Sequence, residues 1–232
     1  MMKREKLLAY IVDEIVRRKD ESKPFKVAID GRGGSGKSVL AGELATALRS
    51  RDKSLEILRP SVDGFHHPQE HRYRQGEYSA VGYYEDAYDY EAVIDCLLAP
   101  LSGGAFPVWC RQVSRDLRTD LPDDSPPISV NARSVLLFEG LFLFRREIND
   151  YWDFRILLDV GPETALSRAV SRDTGLIGPS DIMKRKYEVR YEPAWQIYLD
   201  QEHPDSKADL IVDNRDFLNS RLLKYAIPSR RT

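Results

Sequence analysis

Eight consecutive residues, Gly31-Arg32-Gly33-Gly34-Ser35-Gly36-Lys37-Ser38, fill every fixed position of the phosphate-binding pattern in which Gly is followed by four residues and then Gly-Lys-Ser. The flanks agree with the letters. Phe25 to Asp30 alternates and then runs apolar like a buried strand, and Val39 to Leu48 continues with helical spacing, so strand, loop and helix come in the required order. The glycines let successive amide N–H groups turn inward on an anion, and the helix adds the positive end of its dipole. Such a nest holds polyphosphate. The backbone of Gly31, Gly33, Gly34, Ser35, Gly36, Lys37, Ser38 and Val39 is expected to bind ATP, with Lys37 reaching the β- and γ-phosphates and Ser38 ligating Mg2+. A chance Gly-rich turn is the competing reading, and it leaves both flanks unexplained.

The chain has 232 residues, 42% apolar and 31% charged, which suits one large α/β domain or a domain with a small insertion. Its formal charge is only −2, so no broad cationic field exists to hold a nucleic-acid polymer, although a local basic groove for phosphates remains open. Cys96 and Cys110 are too few for a disulfide framework and lack metal-ligand spacing, which predicts a reducing, cytoplasmic home. Within residues 1–20, Leu7, Leu8, Ile11, Val12, Ile15 and Val16 form one stripe among charges. That predicts an amphipathic helix rather than a signal peptide or membrane span.

Further along, Ser54 to Asp63 reads as a second strand ending in a carboxylate, with Gly64 turning the chain. Residues 65–89 lose periodicity and read as a lid or binding loop rich in Tyr, His and Arg; the residues from Asp89 to Leu98 return to helical character. Phe106–Val113 and Ile128–Val130 read as a strand pair inside a small β-insertion at about 100–133. The apolar runs Ser134–Gly140, Phe154–Val160 and Ala208–Asp213 read as buried strands. Between the last two, one helix runs from Gly161-Pro162-Glu163 to about Asp173. A second runs from Asp181 to Gln201 after a break at Gly175–Pro179, with Pro193 kinking or dividing it; residues 163–201 form a helical region. The predicted class is α/β, a single P-loop domain over 1–232 with a parallel sheet covered by helices on both faces.

Phosphoryl transfer needs a phosphate cradle, a metal, cations for the moving group and a carboxylate for the acceptor hydroxyl. Asp63 is the candidate base, or else a turn-former before Gly64. Glu139 closes an apolar strand where a magnesium-associated carboxylate is expected; capping the turn at Gly140 is the alternative. Arg168 and Arg172 are four apart on one helix and can face the phosphates together, or they can belong to a solvated salt-bridge face. His67 and His71 have no acidic partner at an obvious spacing, so no metal cluster is expected there.

The order P-loop, Asp63-Gly64-Phe65-His66, Leu137-Phe138-Glu139-Gly140 and Leu166 to Asp173 resembles the uridine kinase and phosphoribulokinase family over roughly residues 25–215. The resemblance implies an adenylate-kinase-like fold with a five-stranded parallel sheet, a lid and a small β-insertion that helps bind the acceptor. It implies Asp63 as general base, Glu139 as the magnesium-associated carboxylate, and Arg168 and Arg172 as lid cations. His66 falls where uridine kinases usually place a Tyr near the nucleobase, and Tyr84, Glu85 and Asp86 fall in the region of an acidic ribose contact. In the insertion, Pro107 to Arg115, including Trp109 and Arg115, replaces the family's Tyr-Asp-Phe and following His. Arg190 and Tyr191, in a segment similar to the one before the family's last strand, face the acceptor or pack beneath it. Asn214, Arg215 and Asp216 fall where related kinases hold adenine, or form a C-terminal turn.

The expected activity is ATP-dependent transfer of the γ-phosphoryl group to a hydroxyl of a small metabolite, most plausibly a nucleoside such as uridine. Another small alcohol (pantothenate, a sugar or glycerate) is the alternative, and a nucleotide-driven regulatory ATPase with water as acceptor is more distant. The expected partner is a small-molecule substrate, with no nucleic-acid polymer and no membrane; formation of a homo-oligomer stays open.

Overall fold

A computed structural model of the chain describes residues 3–173 and 180–225, apart from the side chains of 172, 173, 180 and 225. The helices are α1 (Arg4–Arg18), α2 (Lys37–Arg51), α3 (Gln69–Arg72), α4 (Ala80–Asp86), α5 (Tyr90–Val93), α6 (Ala99–Ser102), α7 (Pro162–Asp173), α8 (Ser180–Lys186), α9 (Glu192–Glu202) and α10 (Pro204–Lys207). The strands are β1 (Phe25–Asp30), β2 (Ile57–Leu58), β3 (Val108–Cys110), β4 (Ile128–Val130), β5 (Val135–Gly140), β6 (Phe154–Asp159), β7 (Leu210–Asp213) and β8 (Arg221–Tyr225).

Six strands form one sheet in the order β2-β5-β1-β6-β7-β8, parallel throughout except for the antiparallel edge strand β8. β3 and β4 pair separately as a small antiparallel hairpin. Strand periodicity sends alternate side chains to opposite faces, and here both faces are covered. Val27, Ile29, Val135 and Leu137 pack with Leu7, Ile11 and Ile15 of α1 and Leu40, Leu44 and Leu48 of α2. Their neighbours Ala28, Leu136 and Phe138 pack on the other face with Phe65, Phe142, Trp195 and Tyr198. Leu7, Ile11 and Ile15 are four residues apart and fully buried, so α1 is the lid of one core layer. Among the described residues, no helix is long and apolar enough to cross a membrane.

Two expectations need correcting. The strand expected over Ser54 to Asp63 is regular only at Ile57 and Leu58, with a further isolated parallel bridge from Ser61 to Glu139; Pro60 has no N–H to give a ladder, and Val62–Phe65 winds into a 3-10 turn. Ser61 caps that turn, its Oγ accepting from the Asp63 N–H at 3.2 Å. Asp63 thus sits on a turn beside the sheet rather than at a strand end. The run from Asp181 to Gln201 is interrupted ahead of its proline: a five-residue π-turn, Tyr187–Tyr191, precedes Pro193, which lies in the first turn of α9.

β1 lies between β5 on one side and β6 on the other. Connections leave in opposite directions there, which opens a crevice above the carboxyl end of β1. The phosphate loop emerges into that crevice.

Candidate active site

β1 ends at Asp30, and residues 31–36 loop into α2, whose first-turn amides have no partner within the helix. Three neighbours shape the loop. Gly34 has φ +81°, and a Cβ there would lie 2.4 Å from the Ala165 carbonyl oxygen, so only glycine lets the loop rest on α7. Asn214, after β7, donates from Nδ2 to the Ser35 carbonyl at 2.7 Å while its Oδ1 accepts from Arg4 Nη1 at 3.1 Å. Lys37 Nζ donates to the carbonyls of Gly31 at 2.8 Å and Arg32 at 3.0 Å. The Ser35 hydroxyl is buried with no hydrogen-bond partner. An orphaned hydroxyl in a ring of glycine amides, with an ammonium beside it, is a donor set that suits phosphate oxygens.

Asp30 supports the loop from below. Its Oδ1 accepts from Gly31 N at 2.7 Å, and its Oδ2 accepts from Leu143 N at 3.1 Å and from the Tyr198 hydroxyl at 2.5 Å. Burial raises its pKa to about 6, with Tyr198, the Gly31 amide and the Lys37 charge pulling the other way.

Above the loop lies a cavity of about 400 Å3. Lys37, Ser38, Asp63, Glu139 and Arg168 all line it. Ser38 Oγ donates to Glu139 Oε1 at 3.0 Å. These two hard oxygen donors fit Mg2+ carried in with a nucleotide. Arg168 Nη2 donates to the carbonyls of Asn214 at 3.1 Å and Arg215 at 2.8 Å, which ties α7 to the segment after β7. The Arg172 side chain and the Gly175–Pro179 break lie outside the described residues. Asp63 is exposed, its Oδ1 accepting a long bond from the Tyr88 hydroxyl at 3.4 Å. Gly140 keeps the two carboxylate-bearing segments together: a Cβ there would come 2.3 Å from Val62 Cγ1.

The far wall of the cavity is aromatic. Tyr83 of α4 and Tyr191 of the π-turn meet with ring centroids 4.9 Å apart. Burial, then the neighbouring Tyr191, pushes the Tyr83 phenol well above its ordinary value, so it stays neutral. Tyr187 and Trp195 continue the wall beside an ion pair between Arg32 and Glu192 at 2.9 Å.

A match to the phosphoribulokinase / uridine kinase family spans residues 27–216. The chain belongs to that family. It is a family of small-molecule kinases that use ATP. This member is similar to uridine-cytidine kinase B of Dictyostelium discoideum, 27% identical over 195 residues that cover 82% of this chain and 74% of that protein. It is also similar to a pantothenate kinase of Streptococcus agalactiae serotype III (strain NEM316), 23% identical over 146 residues that cover 62% of this chain and 47% of that one. It thus spans just under half the length of that relative. A solved structure described as a "Possible Uridine Kinase" from Bacillus stearothermophilus superposes with TM-score 0.69 at 23% identity, covering 89% of this chain and 97% of that chain, which shows a shared fold.

In this member of the phosphoribulokinase / uridine kinase family, six residues singled out as acceptor contacts lie off the cavity lining. His66 is buried beside the Tyr88 ring at 4.7 Å, its Nδ1 bonded to the Asp63 carbonyl at 2.8 Å. The Tyr84 ring stacks edge-on against Phe142, under the Arg145 guanidinium. Asp86 is buried, ion-paired with Arg74, with His71 Nε2 3.8 Å from its Oδ1. Trp109 is 67% exposed on the hairpin, and Arg115 is engaged with the carbonyl of Asp120. Arg190 stands behind the wall, its guanidinium over the rings of Tyr73 at 4.9 Å and Tyr83 at 5.0 Å, donating to the carbonyls of Gly76 and Glu77.

Sequence reasoning passed over Tyr83, Tyr187, Trp195, Arg32 and Glu192. A signal was present: Tyr187, Tyr191 and Trp195 recur every four residues, the spacing of one helix face. Arg32 is the one large charged side chain within the glycine loop itself.

Proposed function

We propose that this chain phosphorylates a hydroxyl of a nucleoside, using Mg2+ and ATP, with Asp63 as general base. The observation that carries this reading is one cavity in which the Lys37 loop faces a carboxylate and a tyrosine wall. A flat ring stacks on Tyr83 and Tyr191, and a carboxylate accepts from a ribose hydroxyl. Among the described lining residues, the cations Arg32, Lys37 and Arg168 each already have a partner within the protein, in Glu192, in the loop carbonyls and in the carbonyls of Asn214 and Arg215 respectively. That arrangement favours an uncharged acceptor.

In the proposed reaction Asp63 takes the proton of the acceptor hydroxyl as its oxygen bonds the γ-phosphorus and the bond to the β–γ bridging oxygen breaks. Lys37 and Arg168 meet the negative charge on the moving group. Ser38 and Glu139 would hold Mg2+, which supplies charge neutralisation between the β- and γ-phosphates when bound. The chain's similarity to a pantothenate kinase keeps a different alcohol as the second reading.

Incubating the chain with isotopically labelled ATP and nucleosides, pantothenate, sugars and glycerate, followed by mass spectrometry, tests this reading. A labelled nucleoside monophosphate is the expected product. Label in another alcohol, or in free phosphate at the same rate without any alcohol, rejects the nucleoside assignment.

A further inference from the structure

Arg32 lines the same cavity as Lys37; its guanidinium lies over the Trp195 ring, 5.6 Å from the centroid, and two polar contacts hold it. Its carbonyl accepts from Lys37 Nζ at 3.0 Å, and its Nη1 donates to both carboxylate oxygens of Glu192, at 2.9 and 3.0 Å. Arginine usually offers a carboxylate two nitrogens in a fork; here Glu192 draws on one, and the rest of the guanidinium stays available for a second anion. The pair is largely buried, with side chains 10% and 19% exposed, so solvent and salt screen it little.

Both contacts are ones for which a polyphosphate competes. An ammonium drawn onto phosphate oxygens lets go of the Arg32 carbonyl, and a terminal phosphate is a planar-fork partner at least as good as a carboxylate. Leaving Glu192 alone and buried would normally oppose the exchange. Two donors stand beside it. Gln196 Nε2 already donates to Glu192 Oε1 at 2.8 Å, and the buried Tyr187 hydroxyl makes no hydrogen bond of its own. That phenol is pushed up by burial, with Glu192 adding to the shift and Arg32 opposing it, which places it next to the pair as a neutral O–H donor.

We propose that Arg32 is a further cation for the transferred phosphoryl group, and that Glu192 holds it in reserve and competes with the terminal phosphate for it. This goes beyond the acceptor assignment and does not depend on which alcohol is used.

The test is isothermal titration calorimetry of the full chain with Mg2+ and either a nonhydrolysable ATP analogue or ADP, with no alcohol present. Arg32→Met is expected to weaken the triphosphate analogue roughly tenfold and ADP by less than about twofold. Glu192→Gln removes the competitor and is expected to tighten the triphosphate analogue roughly threefold or more while leaving ADP unchanged. If Glu192→Gln instead weakens the analogue, or either variant shifts both nucleotides equally, the pair is a structural staple and the proposal falls. Should Arg32→Met melt at room temperature, the sign of the Glu192→Gln effect decides alone. An unsubstituted chain that binds neither nucleotide overturns this proposal and the phosphate-loop reading together, whereas failure with nucleoside acceptors touches only the function proposed above.

Discussion

Asp30 answers to burial before it answers to charge. Its pKa of about 6 compares with 3.8 for a free aspartate, so between those values the folded chain keeps a proton that the unfolded chain has released. Stability from this residue therefore falls as pH rises from about 4 to about 6, by up to about 3 kcal/mol. Denaturant melts at pH 4.5 and 7 should show that decline in the native chain relative to Asp30→Asn; a difference independent of pH would contradict it. Asp63 is a different case, exposed and facing the cavity. Asp63→Asn should lower kcat by about 10²–10⁴ while calorimetry with the ATP analogue stays near normal; near-normal turnover would reject the base role. At this scale the positions of the phosphate loop, Ser38 and Glu139 on the cavity were legible because fixed spacing and a strand end set them, whereas Asp63 reaches the cavity from a turn where a strand end was expected. His66, Tyr84 and Asp86 were not legible, because similarity of position along a chain does not say whether a side chain points to a cavity or into ion pairs and ring stacks.

Short elements obscured the middle of the chain. Residues 65–89 contain helices of four and seven residues, started by caps such as Ser79 Oγ accepting from Gly82 N at 3.0 Å, and too brief to show a helical period. The long helices and buried strands were legible because their apolar period is sustained. Contact between elements suggests two tests. Gly34→Ala should cost about 2 kcal/mol or more and abolish binding of the ATP analogue, since positive φ and the Ala165 carbonyl both oppose the methyl. Gly33→Ala, with no atom within 4 Å of its added Cβ, is the control expected to change stability little. Arg190 clamps the segment before α4 to the π-turn, aided by Lys186 bonded to Glu77 at 2.7 Å. Arg190→Met should loosen Tyr83 and raise KM for the acceptor severalfold with nucleotide affinity unchanged; steady-state kinetics with each substrate varied would separate the two.

Across the whole molecule, α1 is joined to the nucleotide side by more than hydrophobic packing. Arg4 donates to Glu43 of α2 at 2.6 Å and to Asn214, and Asn214 holds the loop at Ser35. Asn214→Ala leaves a buried guanidinium nitrogen and a loop carbonyl without this partner, so a loss of about 2 kcal/mol is expected together with weaker binding of the ATP analogue. Denaturation and calorimetry on one preparation would show whether the two losses go together. The layered α/β class was readable from alternating strands and helices, but strand order was not, because adjacency depends on which way each crossover turns. β8 escaped notice for a related reason: Arg221–Tyr225 is a short run, half-exposed over residues 221–224, whose sheet partner among the described residues is β7. The hard contact between Gly140 and Val62 has its own consequence. It sets how near Val62, the residue before Asp63, comes to the strand end that carries Glu139. The tyrosines opposite come from other segments, so those rings can be exchanged without disturbing that spacing.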